Sequence, residues 1–114
     1  PFTWRLWNDA DLEYDSTLGY ADHVGFRCGV CYEYSVFDFL ERKLLKLKER
    51  PLLVMDCSLT ESRYMGMGYS NNALNCVSVI KNYCRKYNGD FVLLWHNTSL
   101  ITAKQKAFLK GIIT

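Results

Sequence analysis

The sequence has no apolar run of the length that a membrane-spanning helix requires. Such a helix needs about 20 consecutive apolar residues, and every apolar run in this chain is much shorter. The first residues, PFTWRLWNDAD, also lack the positively charged start and the apolar middle of a signal peptide. We therefore expect no membrane partner and no export.

The chain also lacks a strong charge of either sign. Its formal net charge is only +2 at pH 7, and its lysines and arginines are scattered. The one basic cluster, KLLKLKER at residues 43–50, alternates Leu and Lys, which is typical of a strand with one solvent-facing side. We therefore expect no nucleic-acid partner.

Internal repeats, low-complexity segments and linkers are missing as well, which favours one domain. A composition of 49% hydrophobic and 15% aromatic residues is typical of a folded globular domain. The chain begins at Pro1, inside an amphipathic segment and without a methionine, which suggests a processed chain or a piece of a longer protein. We expect residues 1–114 to form a single partial domain.

The five cysteines do not form a regular disulfide framework. Their number is odd and their spacing irregular, and two of them fall at apolar positions of a predicted helix. A free thiol packs there as a small hydrophobic side chain. This usage favours a reducing compartment and therefore a cytoplasmic location.

Two of the cysteines, Cys28 and Cys31, lie in the segment GFRCGVC. A structural zinc site needs four ligands, so Cys57 with one of the two histidines would have to complete it, and the spacing does not favour this. A thioredoxin-like pair would open a helix, whereas the next residues, YEYSVFDF, have no clear helical start. We favour packing over the metal and redox alternatives.

In the first half of the chain, residues 1–8 are predicted to form a short helix or an irregular turn. Strands are predicted at residues 12–15 and, from period-two alternation, at residues 44–48. A brief extended piece is expected at residues 24–28. Residues 36–44, VFDFLERKL, fit an edge strand or a helical turn equally well.

The second half alternates strands and helices. The run LLVMD at residues 52–56 predicts a buried strand, and residues 71–87 have apolar positions every three or four residues, which predicts a helix capped by Ser70 or Asn71. A second buried strand is predicted at residues 91–95, and the box Thr102-x-x-Gln105 opens a last helix. The fold class is therefore α/β, with mostly parallel strands alternating with helices.

Polar side chains stand where the predicted strands end. Asp15, Asp56 and His96 each close a strand, and the carboxyl ends of parallel strands meet at one edge of a sheet. A histidine oriented there by a carboxylate is suited to general acid or base chemistry. In the alternative interpretation, His96 only bonds to Asn97 and Asp56 only caps a turn.

The order of YDST, GFRCG, PLLVMD, a helix and GDFVLLWHN resembles the C-terminal part of the polysaccharide deacetylases, the chitooligosaccharide-deacetylase-like carbohydrate esterases of family four. The resemblance extends from about Leu12 onward. It implies the C-terminal portion of a distorted (β/α) barrel that removes N-acetyl groups from a sugar polymer through a divalent, zinc-like metal. The family's metal ligands, an Asp and two His, belong to the first part of the barrel, so no metal ligand is expected in this chain.

The resemblance also implies roles for individual residues. Arg27 matches the arginine that steadies the catalytic aspartate, His96 the acid that protonates the leaving amine, and Asp56 the acid that orients this histidine. Trp95, Tyr32 and Asp15 are then expected at the substrate.

Two positions depart from the family pattern. The usual Arg-x-Pro-Tyr-Gly loop is replaced here by the residues from Arg27 to Cys31, so the backbone donor to the oxyanion is open. Asn97 stands where the family usually has an Asp.

Two functions from different classes follow. In the first, the chain is a C-terminal fragment of a metal-dependent carbohydrate N-deacetylase; it supplies the general acid and the substrate wall for an acetylated aminosugar polymer, and alone it is inactive. In the second, it is a non-catalytic carbohydrate-binding or protein-interaction module of the same fold. Because a partial barrel leaves strand edges open at residues 12–15 and 91–95, we also expect a homo-oligomer.

Overall fold

A computed structural model describes residues 2–114 and has a mixed α/β architecture of short elements. Its helices are α1 (Phe2–Asp9), α2 (Asp56–Thr60), α3 (Asn71–Lys86) and α4 (Ala103–Ile113). Its strands are β1 (Tyr14–Asp15), β2 (Tyr34–Asp38), β3 (Lys43–Glu49), β4 (Val54–Met55) and β5 (Leu93–Leu94), and a single 3-10 turn covers Asn97–Ser99. The α/β class predicted from the sequence is confirmed at this coarse level.

The first sheet contains three strands in the order β1-β3-β2. β1 runs parallel to β3, whereas β2 pairs with β3 antiparallel, with a bulge between Ser35 and Phe37. The predicted strand at residues 44–48 is confirmed as the central strand, and the undecided segment 36–44 contributes an edge strand followed by a turn. One face of the first sheet buries a small core of Val36, Leu45 and Leu47. Two tryptophans of α1, Trp4 and Trp7, pack against this core.

The second sheet consists of β4 and β5, which pair in parallel through Val54↔Leu93 and Met55↔Leu94. The two apolar runs that predicted five-residue strands form only two residues of ladder each. Leu52 N donates instead to the carbonyl of Leu18 in a loop. At the other end, Asp56 already begins α2.

Helices α3 and α4 follow the local signals in the sequence. Ser70 accepts a hydrogen bond from Ala73 N and caps α3, and Thr102 and Gln105 form a complete capping box at the start of α4. Both helices pack on the larger core, around Leu59, Val77 and Phe108. Within residues 2–114, no helix is long and apolar enough to cross a membrane.

The segment GFRCGVC forms turns and bends, so the extended piece expected at residues 24–28 is wrong. Gly25 takes a φ of 145°, which a residue with a side chain rarely adopts. Cys31 is buried in the larger core, and a Cβ at Gly89 would collide with its sulfur. All five cysteines are free thiols, and this burial of Cys31 agrees with the packing interpretation.

Candidate functional site

Asp56 and His96 meet at the carboxyl edge of the second sheet. The parallel register of β4 and β5 places both residues just beyond the strand ends. Asp56 Oδ1 lies 2.6 Å from His96 Nδ1, and Asp56 Oδ2 accepts the backbone N–H of His96 at 3.1 Å. The carboxylate has no exposed surface, whereas 45% of the histidine side chain is exposed. The sequence predicted this pair, and the structure brings it together.

The electrostatics of Asp56 favour an ionised carboxylate. Burial alone would raise the pKa of Asp56, but hydrogen bonds from Ser99 and from the ring and backbone of His96 outweigh it and hold that pKa below its usual value. An ionised Asp56 selects the tautomer of His96 that carries a proton on Nδ1. Within the described residues Nε2 has no hydrogen-bond partner, so it is the atom that can exchange a proton with a substrate.

Cys57 is the third member of this corner. Its Sγ lies 3.7 Å from His96 Nδ1, the nitrogen that Asp56 already occupies. Burial, Glu61 and Asp56 together raise the pKa of the Cys57 thiol to about 11, so it is protonated at neutral pH. A cysteine nucleophile activated by His96 is therefore not supported, since the thiolate is the reactive form.

The same three side chains could hold a metal ion. Among residues 2–114 this is the one group whose potential ligand atoms, from Asp56, Cys57 and His96, all lie within 4.8 Å of one another. The sequence suggested Cys57 only as a further ligand for the Cys28–Cys31 pair. The position of Cys57 directly after Asp56 is the signal that could have placed it beside His96.

The second histidine stands apart from this group. His23 Nδ1 lies 2.8 Å from Asp22 Oδ1, and its ring stacks on Tyr20 at 4.0 Å between centroids. His23 contributes no atom to the three-residue group. The two histidines therefore do not share a site among the described residues.

Arg27 lies away from the pair formed by Asp56 and His96, which we call the dyad. Its loop runs beside β4, where Gly25 N donates to the carbonyl of Leu53, the residue before the strand. Arg27 follows two residues later, is exposed, and donates from Nη1 to the carbonyl of Gly19 at 2.8 Å. It forms no ion pair with a carboxylate within residues 2–114. Its contact with a catalytic aspartate stays a prediction.

Trp95 precedes His96 but turns into the protein. Its indole N–H donates to the carbonyl of Ser99 at 3.2 Å, and its ring lies 6.0 Å from that of Phe108. The side chain is partly buried against the larger core. Trp95 therefore packs beneath the strand end that carries His96. Only the exposed part of its ring could contact a substrate.

Tyr32 lines a different surface. It borders an apolar cavity of about 400 Å³ together with side chains of the GFRCGVC loop and of the end of α3, namely Phe26, Val30, Cys31, Tyr83 and Tyr87. Tyr83 lies in the last turn of α3 and Tyr87 directly follows this helix, which leads to the amino end of β5. The cavity therefore lies toward the opposite end of the strands from His96, and the structure does not bring Tyr32 to the dyad.

Asp15 belongs to the first sheet and has no exposed surface. Its Oδ2 accepts hydrogen bonds from Trp4 Nε1 at 3.0 Å and Thr17 Oγ1 at 2.7 Å. Its other neighbour is the equally buried Glu49, whose pKa is raised to about 8 by burial and by the Asp15 carboxylate. The structure therefore places Asp15 in a buried carboxyl pair and does not bring it to Asp56 and His96.

Comparisons with known proteins do not identify a family for this chain. No family model, no curated protein and no solved structure matches the chain.

Proposed function

We propose that this chain is the C-terminal part of a metal-dependent carbohydrate N-deacetylase, folded as a portion of a distorted (β/α) barrel, and that Asp56 and His96 supply its general acid. The observation that carries the proposal is the double contact of one buried carboxylate with a half-exposed histidine, at 2.6 Å to the ring and 3.1 Å to the backbone. The ring contact selects the tautomer and orients the imidazole, and the backbone contact holds the residue beside Asp56, as a positioned proton donor requires.

In this mechanism the dyad acts when the amide bond breaks. A divalent metal, held by ligands from the rest of the parent protein, would supply the activation of the water that adds to the acetyl carbonyl. The protonated imidazole of His96 gives its Nε2 proton to the amine nitrogen as the C–N bond breaks, and acetate and the free amine result. Asp56 stabilises the positive charge of the ring until the proton has left.

The substrate proposed is an acetylated aminosugar polymer. His96 is half exposed at the edge of the sheet, so a long chain can reach Nε2 without entering a closed cavity. The isolated chain is expected to be inactive, because a general acid alone does not activate water. The family metal and its ligands are assigned to the parent protein.

The test is the variant His96→Ala in the full-length parent, with acetate release from an acetylated chito-oligosaccharide as the measurement. Loss of a general acid is expected to lower turnover by about 10²- to 10⁴-fold. His23→Ala is the matched control, since His23 bonds to Asp22 in an exposed loop and should leave turnover near that of the parent. A fully metallated His96→Ala protein that works at the parent's rate contradicts the proposal.

The aromatic cavity favours a second function, that of a carbohydrate-binding or interaction module. Aromatic rings of Phe26, Tyr32, Tyr83 and Tyr87 line a space of about 400 Å³, a size typical of small-ligand sites. Under this alternative, the isolated chain binds an oligosaccharide, Tyr83→Ala weakens binding, and His96→Ala leaves it unchanged. Calorimetric titration of the three proteins separates the two functions.

A further inference from the structure

The corner formed by Asp56, Cys57 and His96 combines an oxygen, a sulfur and a nitrogen ligand in one small volume. We propose that these three side chains bind a thiophilic divalent cation of the Zn²⁺ class, with His96 coordinating through Nδ1. This site is distinct from the Asp-and-two-His metal site that the resemblance assigns to the first part of the parent protein.

The distances suit a tetrahedral ion. With zinc bonds of about 2.3 Å to sulfur and about 2.0 Å to nitrogen, a tetrahedral angle places the two ligand atoms about 3.5 Å apart. The separation of Cys57 Sγ and His96 Nδ1 is 3.7 Å, which is close to that value.

The carboxylate needs a small adjustment. Asp56 Oδ1 and His96 Nδ1 are 2.6 Å apart, which is a hydrogen-bond distance, and shared zinc ligation would open it to about 3.3 Å. The histidine side chain is 45% exposed and can turn outward by this amount. Asp56 itself stays fixed, because it is fully buried at the start of α2.

The ligand types select the cation. Thiolate and imidazole favour Zn²⁺ and similar ions over Mg²⁺ and Ca²⁺, which prefer oxygen ligands. The buried carboxylate of Asp56 lies beside the thiol and the imidazole, and its negative charge favours a cation there. Because Cys57 is partly exposed and His96 half exposed, an ion can enter from solvent, and water can take the fourth position.

Metal binding and the Asp56–His96 hydrogen bond exclude each other, because both use Nδ1. If the proposed function holds, occupation of this site takes His96 away from the leaving amine, and the cation inhibits the enzyme. That consequence rests on the proposed function, whereas the binding itself rests only on the geometry of the three side chains.

The test is titration of Co²⁺ into the reduced, metal-free chain, followed by absorption spectroscopy. We expect one equivalent to give a thiolate-to-cobalt charge-transfer band and the visible bands of a tetrahedral site, both removed by added Zn²⁺ and unaffected by Mg²⁺. Cys57→Ser is expected to lose the charge-transfer band, and His96→Ala to weaken Co²⁺ affinity at least about 10-fold.

Cys76→Ser is the matched control, because Cys76 lies partly buried on α3 and outside the ligand group. It should bind Co²⁺ as the parent does, and circular dichroism should confirm that all variants are folded. Absence of a charge-transfer band overturns the proposal. So does a band that persists in Cys57→Ser and disappears in Cys28→Ser, which would place the ion at the Cys28–Cys31 pair.

Discussion

At the scale of single residues, the buried side chains of Asp15 and Glu49 form a carboxyl pair that can share one proton. Asp15 Oδ1 and Glu49 Oε2 are buried and have no hydrogen-bond donor among the described residues. Burial and the Asp15 carboxylate raise the pKa of Glu49 to about 8, whereas hydrogen bonds from Glu49, Thr17 and Trp4 overcome burial and lower the pKa of Asp15. A proton on Glu49, donated to Asp15, satisfies both orphaned oxygens at neutral pH.

This pair predicts a pH-dependent stability. Burial and the Asp15 carboxylate raise the pKa of Glu49 above its ordinary value of 4.5 in the folded protein, so the stability that this proton contributes is fully present below pH 4.5. This contribution to stability declines as the pH rises toward about 8, because the Glu49 carboxyl group loses its proton at a lower pH in the unfolded chain than in the folded protein. We expect the free energy of unfolding to fall by an amount on the order of a few kcal/mol across this range.

Glu49→Gln should remove most of this pH dependence. The amide can still accept from Leu18 N and can donate to Asp15 without carrying a titratable proton. Urea unfolding of both proteins between pH 5 and 9 measures the difference, with the exposed Glu13→Gln as control. An unchanged pH slope in Glu49→Gln contradicts the shared-proton interpretation.

At the scale of elements, the capping box of α4 accounts for where that helix begins. Gln105 N donates to Thr102 Oγ1 at 3.1 Å, and Gln105 Oε1 accepts the backbone N–H of Thr102 at 3.0 Å. Gln105 also donates to the hydroxyl of Tyr69 at 3.0 Å and so joins the helix start to the loop before α3. The box therefore combines a local and a tertiary contact.

Thr102→Ala is expected to lower the free energy of unfolding by about 1 kcal/mol, because the N–H of Gln105 loses its acceptor. Thermal or urea denaturation measures the change. Thr98→Ala is the control, since Thr98 is exposed in the 3-10 turn and should change stability by less than about 0.5 kcal/mol. Equal effects of the two variants contradict the assigned role of the cap.

At the scale of the whole molecule, strand edges and apolar side chains lie together on one surface. β2 is an edge strand of the first sheet, so one side of its backbone is unpaired within residues 2–114. β2, the following turn and the start of β3 expose four large apolar side chains: Phe37, Phe39, Leu40 and Leu44. Open edges with apolar flanks favour pairing with another chain. Besides the strand edges expected at residues 12–15 and 91–95, β2 is therefore a candidate surface for the expected homo-oligomer, within the segment 36–44 for which the sequence left an edge strand open.

We expect the chain to form a dimer at roughly 100 μM, and Phe37→Lys to shift it toward monomer, because a lysine on an edge strand opposes pairing. Analytical ultracentrifugation measures both proteins. Val79→Lys is the control, since Val79 is also an exposed apolar residue but lies on α3 and not in a strand. A monomeric parent contradicts the prediction, and a dimer that both variants keep removes β2 as its interface.

The sequence by itself determined the features that depend on neighbouring residues. Helix α3 is capped by Ser70, one of the two predicted caps, and α4 by the predicted Thr102, because capping and i→i+4 hydrogen bonds involve only residues a few positions apart. The alternation in β3 likewise follows from which side chains face water. The meeting of Asp56 and His96 was predictable because both end strands of one parallel unit.

Tertiary structure alone decided the features that depend on distant pairing. The apolar runs form only short strands, because a ladder continues only where a partner strand lies beside it. The antiparallel direction of β2 also depends on its partner strand, β3. Asp15 lies in another sheet because β1 pairs with β3, and Arg27 and Tyr32 follow a loop that leads away from His96. Strand partners and loop paths are fixed by contacts between residues far apart in sequence, and no local pattern specifies them.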